Sequence, residues 1–349
     1  MSQRSAIALE DISRVLADTV IPWHKLDTAT VLITGSTGLI GKTLTDVLLA
    51  YAAKSQTPPK LVLPVRNIAK AIGFFGAQNP QLELIEWDAD QPLCYEGRVD
   101  YILHCAAQTS SKGFVEQPVE TAVASFCGTR NLLEFAKQKK VKGIVYLSTM
   151  EVYGTPQTDD KIGEDYVGVI DPLNVRNCYP ESKRLCENLC VSYYSEYGLP
   201  TYIARLTQTF GPGVQADDQR VFAEFARCAI EQTDIILHTK GETKRNYLYT
   251  ADAVRALLTV MLCGHPGQAY NLANEQTYCS IYEMACMVAK EVADGRIEVR
   301  CEIQDTQKFG YAPVLHMNLD TAKLCALGWQ AQYDLQQMFV RMIADFGHC

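Results

Sequence analysis

The stretch TVLITGSTGLIGKTLTDVLLAYAAK, close to the amino terminus, limits the possible folds more than any other part of the chain. Thr30–Thr34 is a short run of β-branched and apolar residues and predicts a strand. GLIGKTLTDVLLAYAAK predicts a helix, and the junction carries glycines at positions 35, 38 and 41. Such glycines allow a tight turn and close backbone approach to a pyrophosphate. The helix start adds free N–H groups and a partial positive charge. The spacing is GxxGxxG, and it carries weight because a strand precedes it and a helix follows. Gly35, Thr37, Gly38, Leu39, Ile40 and Gly41 are therefore the first candidate dinucleotide contacts.

The pattern then repeats. KLVLPV, QLELIEW, DYILHC and GIVYLS predict further strands, and VETAVASFCGTRNLLEFAKQKK predicts a helix among them. Near-continuous Val, Ile and Leu runs alternating with helices imply a parallel sheet covered on both faces. The expected class is α/β: a Rossmann-like doubly wound parallel sheet with a smaller C-terminal substrate-binding lobe. That lobe follows from a change of rhythm after Lys183: a helix over Ser182–Tyr197, a strand over Thr201–Arg205, the turn FGPGVQADDQR, a helix near Val221–Glu231, then shorter elements. The expected division is an N-terminal extension over 1–28, a dinucleotide domain over 29–182, and a mainly substrate-binding part over 183–349 with segments returning to the sheet. Residues 155–178 form a polar connection long enough to cover a site.

Composition excludes several classes. The 32 basic and 40 acidic side chains leave a net charge of −8, which disfavours nucleic acid and anionic membranes. A phosphate-bearing ligand must be held locally, by helix starts and a few arginines. No apolar run approaches a membrane span, and the first twenty residues, with Glu10, Asp11 and Asp18, lack the apolar stretch of a signal peptide. Thirteen cysteines, an odd number without a CxxC pair, read as reduced thiols. Cys186 and Cys190 share a helix face, but no nearby histidine pair makes a metal site, so none is expected. The expected location is the cytoplasm.

At the end of the second strand a carboxylate would hold the adenosine ribose and repel a 2′-phosphate. There is no Asp or Glu between Gln56 and Gln81, and Arg66 stands there instead. A guanidinium suits a 2′-phosphate, which favours NADP over NAD. Asp88, after QLELIEW, can accept the adenine amino group or serve a turn with Ala89. Ala106 and Ala107, after DYILHC, leave room for close passage of the cofactor.

YPESK places Tyr179 and Lys183 four apart at the start of a helix, on one face. A tyrosine of pKa ~10 is a poor base at neutral pH. A nearby ammonium and the positive charge of an oxidised nicotinamide favour its phenolate, which can then take a hydroxyl proton as hydride leaves the carbon. In LSTMEVYG, Thr149 can hydrogen-bond the reacting oxygen, and Glu151 can exchange a proton with the substrate.

TGSTGLIG, VDYILHCAA, VYLSTMEVYG, CYPESKRLCE, ARLTQTFGPG, GETKRNYLYTADAVRA, AYNLAN and LGW, in that order, resemble the extended short-chain dehydrogenase/reductases, specifically the nucleotide-sugar epimerase/dehydratase family. The resemblance implies a catalytic set of Thr149, Tyr179 and Lys183. It also implies that Arg245 holds a substrate diphosphate and that Arg220, Val221 and Asn271 contact the nucleotide. A local guanidinium fork is what an acidic protein needs for that anion. Three departures stand out. Gln208 in RLTQTFGP stands where the family usually has Asn and is a candidate substrate contact, Ser125 replaces an Asn, and Met150-Glu151 replaces the Asp-Glu pair of glucose 4,6-dehydratases. The acid that protonates a departing C6 hydroxyl is missing, while a C5 base remains; mannose-type dehydratases and glucuronate decarboxylases also keep only the glutamate.

The leading expectation is thus a redox-neutral enzyme acting on a nucleotide-diphosphate sugar. It oxidises C4 transiently with NADP or NAD and uses Glu151 at C5. A 4-keto-sugar reductase using NADPH, a decarboxylase, and a non-catalytic NADP-binding protein are the alternatives. The family implies a homodimer through Thr121–Lys137 and Ser182–Tyr197.

Overall fold

The computed structural model describes residues 4–109, 111–303 and 314–346. The remaining positions of the extension and of the C-terminal part lie outside the described residues. In chain order the strands of the principal body are β1 (Thr30–Thr34), β2 (Lys60–Val65), β3 (Leu82–Glu86), β4 (Tyr101–His104), β5 (Gly143–Thr149) and β6 (Thr201–Leu206). Then come β7 (Gln208–Phe210), β8 (Ile235–Leu237), β9 (Lys244–Tyr249), β10 (Gln268–Leu272), β11 (Asn274–Ser280), β12 (Val299–Cys301) and β13 (His316–Met317). The larger helices are α1 (Ala6–Leu16), α2 (Leu39–Lys54), α3 (Ile68–Phe75), α4 (Ser111–Glu116), α5 (Pro118–Lys139), α6 (Cys178–Tyr197), α7 (Val221–Glu231) and α8 (Thr250–Cys263), with a C-terminal helix over Leu335–Phe346.

Seven strands form one sheet in the order β10-β6-β5-β4-β1-β2-β3, and every pair in it is parallel. The order reverses between β1 and β4, so a crevice opens there at the carboxyl ends of the strands, where doubly wound sheets bind ligands. β1 explains its own burial. Val31 and Ile33 enter one core layer with residues of α2 and α8, and Leu32 enters the other with residues of α5 and α6. A strand covered on both faces has no polar side to show, hence the run TVLIT.

The smaller lobe is built on a second sheet, β11-β9-β13 with β7 also paired to β9, and on the pair β8–β12. β10 and α8 return to the large sheet. Residues 5–16 pack on it too: α1 lies against α2 and α8, Asp11 accepts a hydrogen bond from Tyr249 at 2.5 Å, and Arg255 bonds Asp18 at 2.5 Å.

α6 starts at Cys178, four residues before Ser182, where the sequence pattern placed its beginning. Pro180 is compatible with this because it falls in the first turn, where its missing N–H has no intrahelical acceptor in any case. Tyr179 is therefore held by helix geometry rather than by the connection that precedes it. Among the described residues no helix is long and apolar enough to cross a membrane, and no group of three or more His, Cys, Asp or Glu is placed to hold a metal.

Candidate active site

The crevice begins at the glycine turn. Gly35 has φ +67°, and a Cβ on it would stand 2.7 Å from the backbone of Cys105 and Ala106. A Cβ on Gly41 would stand 2.2 Å from the carbonyl oxygen of Gly35. The turn thus fits only if both positions lack side chains, and Gly38 forms the start of α2 with its N–H on Gly35 O at 3.0 Å. The hydroxyl of Ser36 is buried and has no protein partner. An orphaned donor beside a helix start and a backbone cradle closed to side chains fit a dinucleotide pyrophosphate. Thr37, Leu39 and Ile40 are half-buried around the same turn.

Beneath the turn a hydrogen-bonded chain holds β1 to β4. Ala106 N donates to Thr34 Oγ1 at 3.3 Å, and Thr34 Oγ1 lies 2.8 Å from His104 Nδ1. His104 Nε2 lies 3.3 Å from Thr129 Oγ1, whose own proton goes to Ser125 O at 2.8 Å. Because Thr129 spends its proton on Ser125, the imidazole donates from Nε2 and accepts Thr34 at Nδ1. Burial drives the His104 pKa down to about 3, so the ring stays neutral. Ala106 is thereby fixed against Gly35, with Ala107 exposed next to it.

Further along this rim the other dinucleotide candidates are more open. Arg66, one residue beyond β2, is exposed. Asp88 is also exposed, and its Oδ1 accepts Asp90 N at 3.4 Å, a turn contact. Ala89 presents its carbonyl to Asn131 Nδ2 at 2.9 Å.

Thr149 ends β5, and Tyr179 and Lys183 lie on α6 directly against it. Thr149 Oγ1 accepts the N–H of Glu151 at 3.2 Å, which caps a 3-10 turn over Met150–Tyr153. The Thr149 hydroxyl lies beside the Tyr179 phenol. The Tyr179 ring stacks on Phe114, centroids 4.4 Å apart and planes 10° apart. Lys183 Nζ donates to Leu147 O at 2.7 Å and stands 5.8 Å from the centre of the Tyr179 ring.

The electrostatics differ from the simple expectation of an acidified phenol. Burial pushes the Tyr179 pKa well up, the Glu151 charge pushes it further, and only the Thr149 hydroxyl pulls it down. Lys183 is itself buried, which lowers its pKa to about 8. Burial and the Glu151 charge together outweigh the Thr149 hydroxyl, so the phenol is held protonated. The phenolate needs a further positive charge beside it.

Glu151 faces the open side, about 30% exposed, with Arg176 Nη1 at 3.5 Å from its Oε2. Met150 is buried with its sulfur 3.3 Å from the Thr207 hydroxyl oxygen, whose proton goes to Asn246 O at 2.5 Å. It lies inside the protein rather than at the crevice.

The substrate candidates separate into two groups. Gln208 Oε1 and Arg245 Nε are buried without protein partners. Gln208 pairs in register with Tyr247, whose hydroxyl is also an orphan, and Arg245 lies two residues from Tyr247 along β9. Three unsatisfied polar atoms in one region mark a place for a polar ligand. Arg220 caps α7, which starts at Val221; its guanidinium is held by Asp218 at 2.5 Å.

Asn271 is enclosed by protein partners. It is fully buried; its Nδ2 donates to Ile162 O and Asp320 O, both at 2.9 Å, and its Oδ1 accepts the Tyr153 hydroxyl at 2.6 Å. Both side-chain donors are spent on backbone carbonyls, one in the 155–178 connection and one at Asp320.

Sequence reasoning missed Phe114, Arg176 and the network under Thr149. In that network Ser148 donates to Glu187 at 2.5 Å, Arg205 binds Glu187 at 2.7 Å, and Arg205 Nη1 donates to the Tyr153 hydroxyl at 2.9 Å. Glu187 and Arg205 are an acid one turn after Lys183 and a lone cation within a strand. A charge in an otherwise apolar strand was the available signal.

Comparison with known proteins agrees with this geometry. A family model described as the NAD dependent epimerase/dehydratase family matches residues 31–273. UDP-glucuronic acid decarboxylase 1 of Xenopus tropicalis is 31% identical over 322 residues, 92% of this chain and 72% of that one. UDP-glucuronic acid decarboxylase 3 of Arabidopsis thaliana is 31% identical over 324 residues, 90% of this chain and 88% of that one. Among solved structures, the UDP-glucose 4-epimerase of Thermotoga maritima with UDP-glucose superposes with a TM-score of 0.76 at 20% identity, covering 91% of this chain and 98% of that one. A dTDP-glucose 4,6-dehydratase of Streptomyces venezuelae with NAD bound gives 0.75 at 22%, covering 91% and 97%.

Proposed function

The chain belongs to the NAD dependent epimerase/dehydratase family and is an enzyme of that kind, and we propose that it removes the carboxyl group of a UDP-linked uronic acid through transient oxidation at C4. The observation that carries the choice of reaction is the pair Met150-Glu151 after Thr149. A buried thioether cannot protonate a departing C6 hydroxyl, which disfavours 4,6-elimination, whereas loss of carbon dioxide requires no such acid. The decarboxylase relatives, 30–31% identical over about nine-tenths of the chain, support the same reading.

In this reading residues 29–182 hold the dinucleotide and the nucleotide sugar lies chiefly against 183–349. The dinucleotide supplies a nicotinamide that accepts and later returns the C4 hydride, and whose positive charge favours the Tyr179 phenolate. Tyr179 takes the C4 hydroxyl proton while Thr149 orients the same oxygen. Lys183 adds its charge from beneath. With a ketone at C4, the C5–C6 bond breaks, carbon dioxide leaves, and the electron pair forms an enolate between C5 and C4. Glu151, on the open side, takes a proton from solvent and passes it to C5, the one proton that loss of carbon dioxide consumes overall. Gln208, Arg220, Val221 and Arg245 are assigned to the nucleotide diphosphate, and the orphan atoms of Gln208 and Arg245 support this.

The exposed Arg66 supports NADP, and Asp88 with Ala89 is placed at the adenine. A cytoplasmic homodimer completes the proposal. Its interface would be α5 and α6, whose outer faces carry the exposed Val119, Val123, Leu185 and Val191. The deciding experiment incubates the protein with UDP-glucuronate and, separately, UDP-glucose. Carbon dioxide release from the first without net cofactor reduction is expected. Loss of water from the second, or an epimer of either with unchanged mass, would replace the decarboxylase assignment.

A further inference from the structure

We propose that Arg176 recognises the sugar carboxylate and thereby selects a nucleotide uronic acid over the neutral hexose; this rests on the uronic-acid reading above. A carboxylate at C5 would enter a crevice where Glu151 already places a negative charge, in a chain of net charge −8. Like charges at such a distance repel, so the site needs a cation that can be shared. The nearby cations of the floor are committed. Lys183 is buried with Nζ on Leu147 O. Arg184 donates from Nε and Nη2 to Val152 O at 2.8 and 2.6 Å. Arg205 is locked between Glu187, Tyr153 and Glu164 O.

Arg176 is different. Its side chain is about 29% exposed, and its guanidinium meets Glu151 through a single 3.5 Å contact, the outer limit of a hydrogen bond. A guanidinium has five N–H donors in a planar fork, and a carboxylate can take two of them side by side. Arg176 is also well anchored in its backbone. Its N–H donates to Asn174 Oδ1 at 3.1 Å, and the 3-10 turn Val175–Asn177 runs straight into α6, placing Arg176 three residues ahead of Tyr179. A loosely paired cation fixed three residues before the tyrosine and against Glu151 suits an incoming carboxylate, which would displace or share the Glu151 contact.

The test measures steady-state decarboxylation of UDP-glucuronate, and equilibrium binding of UDP-glucuronate and UDP-glucose, on dinucleotide-loaded wild type, Arg176→Met and Arg176→Lys. Arg176→Met is expected to raise KM and Kd for UDP-glucuronate by about 10- to 100-fold, the range of a charge-assisted pair. The change in kcat should be far smaller, and Kd for UDP-glucose should stay put. Arg176→Lys should recover most of the loss. Equal weakening of both ligands, or a fall in kcat at unchanged KM, would overturn the assignment. Should wild type itself fail to release carbon dioxide from UDP-glucuronate, the uronic-acid reading falls, and the assignment with it; that result needs no variant, so the two failures are told apart.

Discussion

The two halves of the crevice are built from different material. The dinucleotide half is backbone: a turn that admits no Cβ at Gly35 or Gly41, a helix start, and a buried neutral His104 tying β1 to β4. The substrate half is long side chains: Glu151 and Arg176 at the rim, Arg220 held by its neighbour Asp218, and the orphan atoms of Gln208 and Arg245. A backbone cradle is rigid and tolerates almost no substitution. A cradle of side chains can be re-aimed by changing one residue, which is how one scaffold serves several reactions. The proposed chemistry sits where the two meet, at Thr149, Tyr179 and Lys183.

Five experiments would break or sharpen that contrast. The largest effect belongs to the junction. Tyr179→Phe keeps the Phe114 stack but removes the proton acceptor, so kcat should fall by about 10³-fold with cofactor content unchanged. Retained turnover would remove the tyrosine from the mechanism. Next comes the backbone half: Gly35→Ala forces a Cβ into the Cys105–Ala106 backbone at positive φ. Dinucleotide affinity should drop at least tenfold and the melting temperature should fall, whereas a wild-type-like protein would show that the turn is not rigid.

Asn271→Ala tests whether Asn271 serves as a nucleotide contact or as a structural clamp. Loss of its three buried hydrogen bonds should cost about 2–3 kcal/mol in chemical denaturation. Substrate affinity at a temperature where the variant is folded should move much less than it does for Arg245→Ala; the reverse order would restore a binding role. Lys183→Met gives a pH signature. The folded lysine titrates at about 8 against an ordinary value of 10.5, so between these limits the unfolded chain binds the extra proton. The cost of burying the ammonium is therefore fully present below pH 8 and is relieved as pH rises toward 10.5. The melting temperature of the variant relative to wild type should be highest near pH 7 and decline toward pH 10; a flat difference would deny the shift. The smallest effect is expected at Arg66. Arg66→Ala should weaken NADP binding by roughly tenfold and leave NAD nearly unchanged, because an exposed guanidinium contributes only one screened charge pair.

Local pattern carried far more of the cofactor half than of the substrate half. The strand–glycine–helix passage, the parallel order of the β segments and the four-residue spacing of Tyr179 and Lys183 are properties of neighbouring residues, and period and turn chemistry expose them directly. The surroundings of Asn271 were not legible, because its identity and its place after a strand say nothing about which carbonyls will surround it. The phenol was read as acidified because sequence spacing shows the lysine one turn away but not the depth of burial that overrides it.

By itself, then, the order of residues determined the parallel sheet, the glycine turn and the placing of Tyr179 and Lys183 on one helix face, since each depends on backbone geometry over a few consecutive positions. Only the tertiary structure decided that Arg176 faces Glu151, that Asn271 is a clamp, and that Phe114 backs the tyrosine. Those contacts join segments 25 to 118 residues apart, and long-range packing and desolvation, not local propensity, set them.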